Sequence, residues 1–260
     1  MPTADVNGTE IYYEDEGRGP ALLLVHGWGT SGRVWGAQQV DLIADHRVVT
    51  IDWRGCGRSG RPSAGNDIAT VVNDLAAVIT AADVEQPVVI GSSVGAAFAT
   101  ELALAHPGLV SGVVPVGGTA HWASQGMDLP AILHQLSDRR PGFVQGWVPN
   151  WFAPGASEAL IAWTVRQILD AAPFIDGQVV SLSTYDPRPR LGALPVPIHY
   201  LHGELDAEIP VAVAEDCAAY TPGATVTVIP GCGHMPHQEQ PAAFTAALRS
   251  VLDQLRPVAA

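Results

Sequence analysis

The sequence predicts an α/β protein with a doubly wound, mostly parallel sheet, and three observations predict it. Short apolar runs such as Ala21 to Val25 and Leu109 to Val116 read as strands covered on both faces. Helix-length segments separate these runs in regular alternation, which is the pattern of strand–helix–strand crossovers. At 260 residues and 47% hydrophobic content, the chain can also bury a large core.

Val6-Asn7-Gly8-Thr9 followed by Ile11-Tyr12-Tyr13 opens the chain as a hairpin, because Asn-Gly tolerates the positive φ of a tight turn. Beyond the polar turn from Glu16 to Pro20, the Ala21 to Val25 strand runs into His26-Gly27-Trp28-Gly29. Ser31 is expected to cap a helix reaching about Ala44, with Val34, Trp35, Val40, Leu42 and Ile43 as candidate core positions. Arg47 to Ile51 forms the next strand, and a helix is expected from Asn66 or Asp67 to about Ala82. The strand ending at Ile90 leads through Gly91-Ser92-Ser93-Val94-Gly95 into an Ala-rich helix that stops near His106-Pro107-Gly108. Leu109 to Val116 follows, closed by Gly117-Gly118.

The alternation then breaks. Residues 119–194 hold four of the seven tryptophans and many prolines, which reads as a small helical lid inserted into a core made of residues 1–118 and 195–260. Alternation resumes with a strand from Val196 to Leu201, a helix from Val211 to Tyr220, a strand from Thr225 to Ile229 and a closing helix from Gln240 to Leu255.

Composition excludes several classes of function. All 13 basic residues are arginine, so Schiff-base enzymes and Walker-type phosphate loops, which need a lysine amine, are ruled out. A net charge of −13 with no basic run argues against nucleic acid and anionic membrane surfaces as partners. No secretory signal or membrane-spanning run is visible, and three unclustered cysteines suit a reducing compartment, so a cytoplasmic location is expected. A homo-oligomer is left open.

Gly55-x-Gly57-x-x-Gly60 has the spacing of a dinucleotide-binding turn. Arg61-Pro62-Ser63 follows where that turn should open a helix, and Asp74 lies inside a helical pattern rather than at a strand end. No cofactor is expected. His199-x-x-His202 and His234-x-x-His237 have metal-like spacing, but residues three apart on a strand face opposite ways, so His199 and His202 cannot easily share an ion, and no metal is expected either. His26, His46, His106, His121 and His134 read as structural or surface groups.

Ligand sites in such sheets lie at the carboxyl ends of the strands. Those ends offer Trp28, Asp52, Ser93, Asp206 and His234. Ser93, Asp206 and His234 are a nucleophile, a carboxylate and an imidazole, the set that makes a serine hydroxyl reactive. Gly91 and Gly95 flank Ser93 with the room a strained strand-to-helix turn requires, which Ser92 lacks. His237 stands as the alternative base; Glu204 and Glu208 are read as solvated loop charges, and Asp52 and Arg54 as loop-pinning groups.

These motifs resemble the α/β-hydrolase superfamily over essentially the whole chain. His26-Gly-Trp-Gly29 is similar to its oxyanion loop and Asp52-Trp-Arg-Gly-Cys-Gly-Arg-Ser59 to a structural signature. Gly91-Ser-Ser-Val-Gly95 is similar to its nucleophile elbow, and Gly203-Glu-Leu-Asp206-Ala-Glu-Ile-Pro210 and Gly233-His234 to its acid and base loops. The resemblance implies Ser93 as nucleophile, His234 as base, Asp206 as its orienter, and the backbone N–H groups of Trp28 and Val94 as the oxyanion hole. Trp28, Trp122, Trp147 and Trp151 are expected to bind substrate.

The branch that fits is that of small serine esterases, lactonases and cofactor-free haloperoxidases. It implies a small-molecule ester or lactone as substrate, cleaved through an acyl-enzyme. Carbon–carbon bond hydrolysis, cofactor-independent oxygenation, perhydrolysis, and a ligand receptor on the same fold are the competing readings. Gly29 stands where perhydrolases commonly carry proline, which counts against that activity.

Overall fold

The computed structural model describes residues 2–119, 121 and 128–255. Its eight strands are β1 (Thr3–Val6), β2 (Thr9–Gly17), β3 (Ala21–Val25), β4 (Arg47–Asp52), β5 (Val88–Ser92), β6 (Gly112–Val116), β7 (His199–Gly203) and β8 (Thr225–Ile229). They form one sheet in the order β1-β2-β4-β3-β5-β6-β7-β8. β1 and β2 pair antiparallel at one edge, and every pairing from β4 across to β8 is parallel. Asn7 and Gly8 form the turn between β1 and β2, both with positive φ.

Helices cover both faces. They are α1 (Gly36–Leu42), α2 (Ile68–Ala81), α3 (Val94–Ala105), α4 (Leu129–Trp147), α5 (Glu158–Asp170), α6 (Gln178–Thr184), α7 (Arg188–Leu191), α8 (Val211–Ala219), α9 (Pro236–Glu239) and α10 (Pro241–Leu255). Successive β3 side chains point to opposite faces, and both faces are dry. Leu23 and Val25 pack into a core with Leu75, Val78 and Phe98 of α2 and α3. Leu22 and Leu24 pack into a second core with Trp35, Leu42, Phe244 and Leu248 on the other side. That double burial is why β3 reads as an unbroken apolar run rather than an alternating one.

Several boundaries differ from the sequence expectation. Ser31 donates its hydroxyl to Gln167 instead of capping a helix, and the segment begins as a 3-10 turn, Gly32–Trp35, before α1. Gly32 donates its N–H to Asp52, so a tertiary bond holds this end in place of a side-chain cap. Val40 is 75% exposed, not core, because α1 buries the stripe of Gln38 and Leu42 and Val40, two positions from each, faces the other way. β6 starts at Gly112 and β7 at His199, each three residues later than the apolar runs do. By contrast, α2 begins as expected: the Asp67 side chain accepts the Thr70 N–H.

Between β6 and β7 the described residues are helical. Pro141 sits inside α4, and the backbone of Arg139 leaves the helical region there. Arg140 pairs with Asp176 at 2.9 Å and donates to the Ile168 carbonyl, tying α4 to α5 and the following turn. Among the described residues, no helix is long and apolar enough to cross a membrane.

The Gly-rich segment after β4 is a set of turns, and the next helix begins only at Ile68. Asp52 accepts N–H groups from Gly32 and Arg58, while Arg54 makes a buried two-bond pair with Asp74 of α2, at 2.5 and 2.7 Å. Asn7 adds a third hydrogen bond to Asp74. Asp74→Ala is therefore expected to cost about 3–5 kcal/mol, since it strands a buried guanidinium. Urea unfolding checks this, and Arg54→Met/Asp74→Leu together should cost less than Asp74→Ala alone.

Candidate active site

Four loops meet at the carboxyl end of the sheet: those after β3, β5, β7 and β8. Ser93 follows β5 with φ 54° and ψ −120°, a strained conformation for a residue with a side chain. The turn closes tightly enough that a Cβ on Gly91 would stand 2.1 Å from the Gly95 carbonyl oxygen. A Cβ on Gly95 would stand 2.7 Å from the Val25 carbonyl oxygen of β3. Ser93 donates its N–H to Val116 of β6, which anchors the turn to the neighbouring strand. Ser92, the last residue of β5, has a fully buried side chain.

His234 comes from the loop after β8, and its N–H is held by the Trp151 carbonyl at 2.7 Å. Its Nε2 lies 2.9 Å from Ser93 Oγ, and its Nδ1 lies 2.9 Å from Asp206 Oδ2. Asp206 can only accept there, so Nδ1 carries the proton and Nε2 is left to take one from the serine. Asp206 Oδ1 accepts N–H groups from Glu208 and Ile209, and His202 Nε2 lies 3.2 Å from Oδ2. Burial opposes the Asp206 charge, but His234 and His202 outweigh it and hold this carboxyl well below the usual range.

Burial likewise disfavours protonated His234, yet the charge and hydrogen bond of Asp206, with Glu208 and Glu239 behind it, leave its pKa above the ordinary 6.5. A base must be neutral to accept a proton. Activity is therefore expected to fall as pH drops through a midpoint above 6.5, visible in the acidic limb of kcat/KM between pH 5 and 9. Asp206→Asn should move that midpoint down and lower kcat about 10⁴-fold.

Over Ser93 lies a cavity walled by Trp28, Trp147 and Trp151 with Ile132, Val179 and Leu182. Trp147 packs on Trp28 and Trp151, and Trp151 meets the His234 ring edge-to-face. Trp122 lies outside the described residues. Val94 opens α3 and Trp28 follows β3; among the described residues no hydrogen bond engages either backbone N–H. His26, whose loop carries Trp28, is fully buried, and burial pushes its pKa down to about 4. The neutral ring accepts the Trp53 N–H and bonds the Gly27 carbonyl, fastening the loop to β4.

Two carboxylates were misjudged or missed. Glu208 is not a solvated loop charge: it lines the cavity and accepts the Trp147 indole N–H at 3.1 Å. Burial pushes its carboxyl above the usual range. Its own N–H is held by Asp206, two residues earlier, but the contact that brings it to the cavity comes from Trp147. Glu239 accepts N–H groups from Ala153, Gly233 and Met235, clamping the His234 loop to the turn between α4 and α5. No motif marks it, because its partners are backbone N–H groups, one of them 86 residues away at Ala153.

The remaining histidines are accounted for by packing. His237 stacks on Trp35 at 4.3 Å, and burial drives its pKa to about 3. His199 bonds Thr225 and Thr227 of β8, while His202 bonds the Ile209 carbonyl, so the two face different neighbours. Among the described residues no group of three or more His, Cys, Asp or Glu side chains is arranged to hold a metal ion.

A strand-borne serine elbow, a histidine and an aspartate on one relay, over a helix-flanked parallel sheet, define a hydrolase-type architecture. Residues 22–248 match the model of the alpha/beta hydrolase family, and the chain belongs to that family. It is 31% identical to a pimeloyl-acyl-carrier-protein methyl ester esterase of Edwardsiella ictaluri, over 89% of this chain and 93% of that one. Among solved structures it resembles the esterase EaEST from Exiguobacterium antarcticum, with a TM-score of 0.90 and 27% identity over 95% and 97% of the chains. It also resembles Est816, an N-acyl homoserine lactone degrading enzyme, with a TM-score of 0.86 and 27% identity over 96% and 99%.

Proposed function

We propose that this protein hydrolyses carboxylic esters or lactones through an acyl-enzyme, with Ser93 as nucleophile, His234 as general base and Asp206 as its orienter. The observation that carries the reading is the continuous relay of two 2.9 Å contacts, from Ser93 Oγ through His234 to Asp206. Ser93 Oγ attacks the carbonyl carbon while its proton passes to His234 Nε2. The oxyanion is received by the N–H groups of Trp28 and Val94; the loss of one such donor typically costs about 3 kcal/mol. His234 returns the proton to the leaving alkoxide, and water repeats the sequence to release the acid. The imidazolium is stabilised throughout by the Asp206 carboxylate.

The esterase and lactonase relatives support this chemistry, and both bond types present the same carbonyl to the serine. Gly29 supports hydrolysis over perhydrolysis: its φ of 69° is one that proline, fixed near −65°, does not adopt. The test is multiple turnover of p-nitrophenyl acetate and butyrate, together with stoichiometric labelling by a phosphonofluoridate mapped to Ser93. A single slow turnover would favour a ligand receptor, and labelling elsewhere would remove Ser93 as nucleophile.

A further inference from the structure

A carboxylate stands in the wall of an otherwise apolar, tryptophan-lined cavity beside Ser93 and His234, and no bond made or broken in hydrolysis involves it. Glu208 is held from two sides. Its own N–H is bound to Asp206 Oδ1 at 3.0 Å, and its Oε2 accepts the Trp147 indole N–H at 3.1 Å. Among the described residues no hydrogen bond engages the second carboxylate oxygen. This is hydrogen-bonding capacity that an alkyl ester would leave unused.

Resting on the serine-hydrolase reading, we propose that Glu208 determines specificity: it selects esters bearing a hydrogen-bond donor, such as a hydroxyl, near the scissile carbonyl and rejects those bearing a carboxylate. A hydroxyl suits the site because it donates to the Glu208 oxygen that Trp147 leaves free. A second carboxylate brings like charges together where aromatic walls exclude water, and such juxtaposition is strongly unfavourable. The side chain is positioned to discriminate because Trp147 and the Asp206 turn remove its freedom to swing into solvent.

The test compares methanol release at pH 8 from methyl butyrate, methyl 3-hydroxybutyrate and monomethyl succinate, three esters of similar size. Wild type is expected to favour the hydroxy ester and to disfavour the succinate. Glu208→Gln, which keeps an acceptor for Trp147 but removes the charge, should raise the succinate-to-butyrate ratio of kcat/KM about 10-fold or more and reduce the preference for the hydroxy ester. Glu208→Asp, which keeps the charge, should keep the rejection. Glu208→Met gives a second neutral variant should the glutamine form fold poorly. Ser93-dependent turnover of methyl butyrate establishes the underlying reading separately. A selectivity ratio that neutral variants leave unmoved, or a parallel change with all three esters, overturns the Glu208 proposal alone.

Discussion

Ser93→Ala is expected to abolish ester hydrolysis while leaving the fold intact. In serine hydrolases, removal of the nucleophile lowers kcat by about 10⁶, and what survives comes from the oxyanion donors and binding alone. The protein around Ser93 has little reason to respond. Alanine keeps the same backbone at φ 54°, and the hydroxyl's contact is with His234 Nε2. The measurement is turnover of p-nitrophenyl butyrate beside thermal unfolding. Residual activity above about 1% with an unchanged melting temperature would mean that another group carries the reaction.

The second large effect is on the fold rather than the chemistry. Gly91→Ala is expected to prevent normal folding or cost several kcal/mol, although alanine is the smallest side chain available. Its Cβ would stand 2.1 Å from the Gly95 carbonyl oxygen and 2.8 Å from the Ala96 nitrogen, both backbone atoms of the turn and α3. Neither can move without displacing the strand-to-helix connection that holds Ser93, and overpacking a rigid site costs about 1–3 kcal/mol even where side chains can yield. Soluble yield and urea unfolding report the result. A variant with wild-type stability would show that the elbow relaxes more readily than these distances imply.

The elbow was legible in the sequence because its cause is local. Gly91, two residues before Ser93, answers a crowding by Gly95 and Ala96 that arises within six residues of chain. The same holds for β3, whose unbroken apolar run reports burial on two faces, and for Asp67, whose cap is made three residues away. Boundaries failed where the deciding partner is remote. Ser31 looks like a helix cap until Gln167, 136 residues later, takes its hydroxyl. Val40, apolar in the sequence, is on the side of α1 opposite the buried Gln38 and Leu42.

Glu208 shows the same limit at the site. Nothing near it in the chain indicates that Trp147, 61 residues earlier, will donate to it and bring it into the cavity. Glu239 behaves alike, serving loops it never adjoins in sequence except at Gly233 and Met235.

From its residues alone, this chain determined the parallel α/β sheet, the order of its strands and helices along the sequence, and the three side chains available for a serine relay. Periodicity, capping and turn crowding are short-range effects, so they are written locally. The tertiary structure alone decided that Ser93, Asp206 and His234 meet within hydrogen-bond reach and that Trp28, Trp147 and Trp151 close over them. It also decided that a further carboxylate faces the same cavity. Those are matters of which distant groups exclude water from one another, and burial of that kind exists only once the chain has folded.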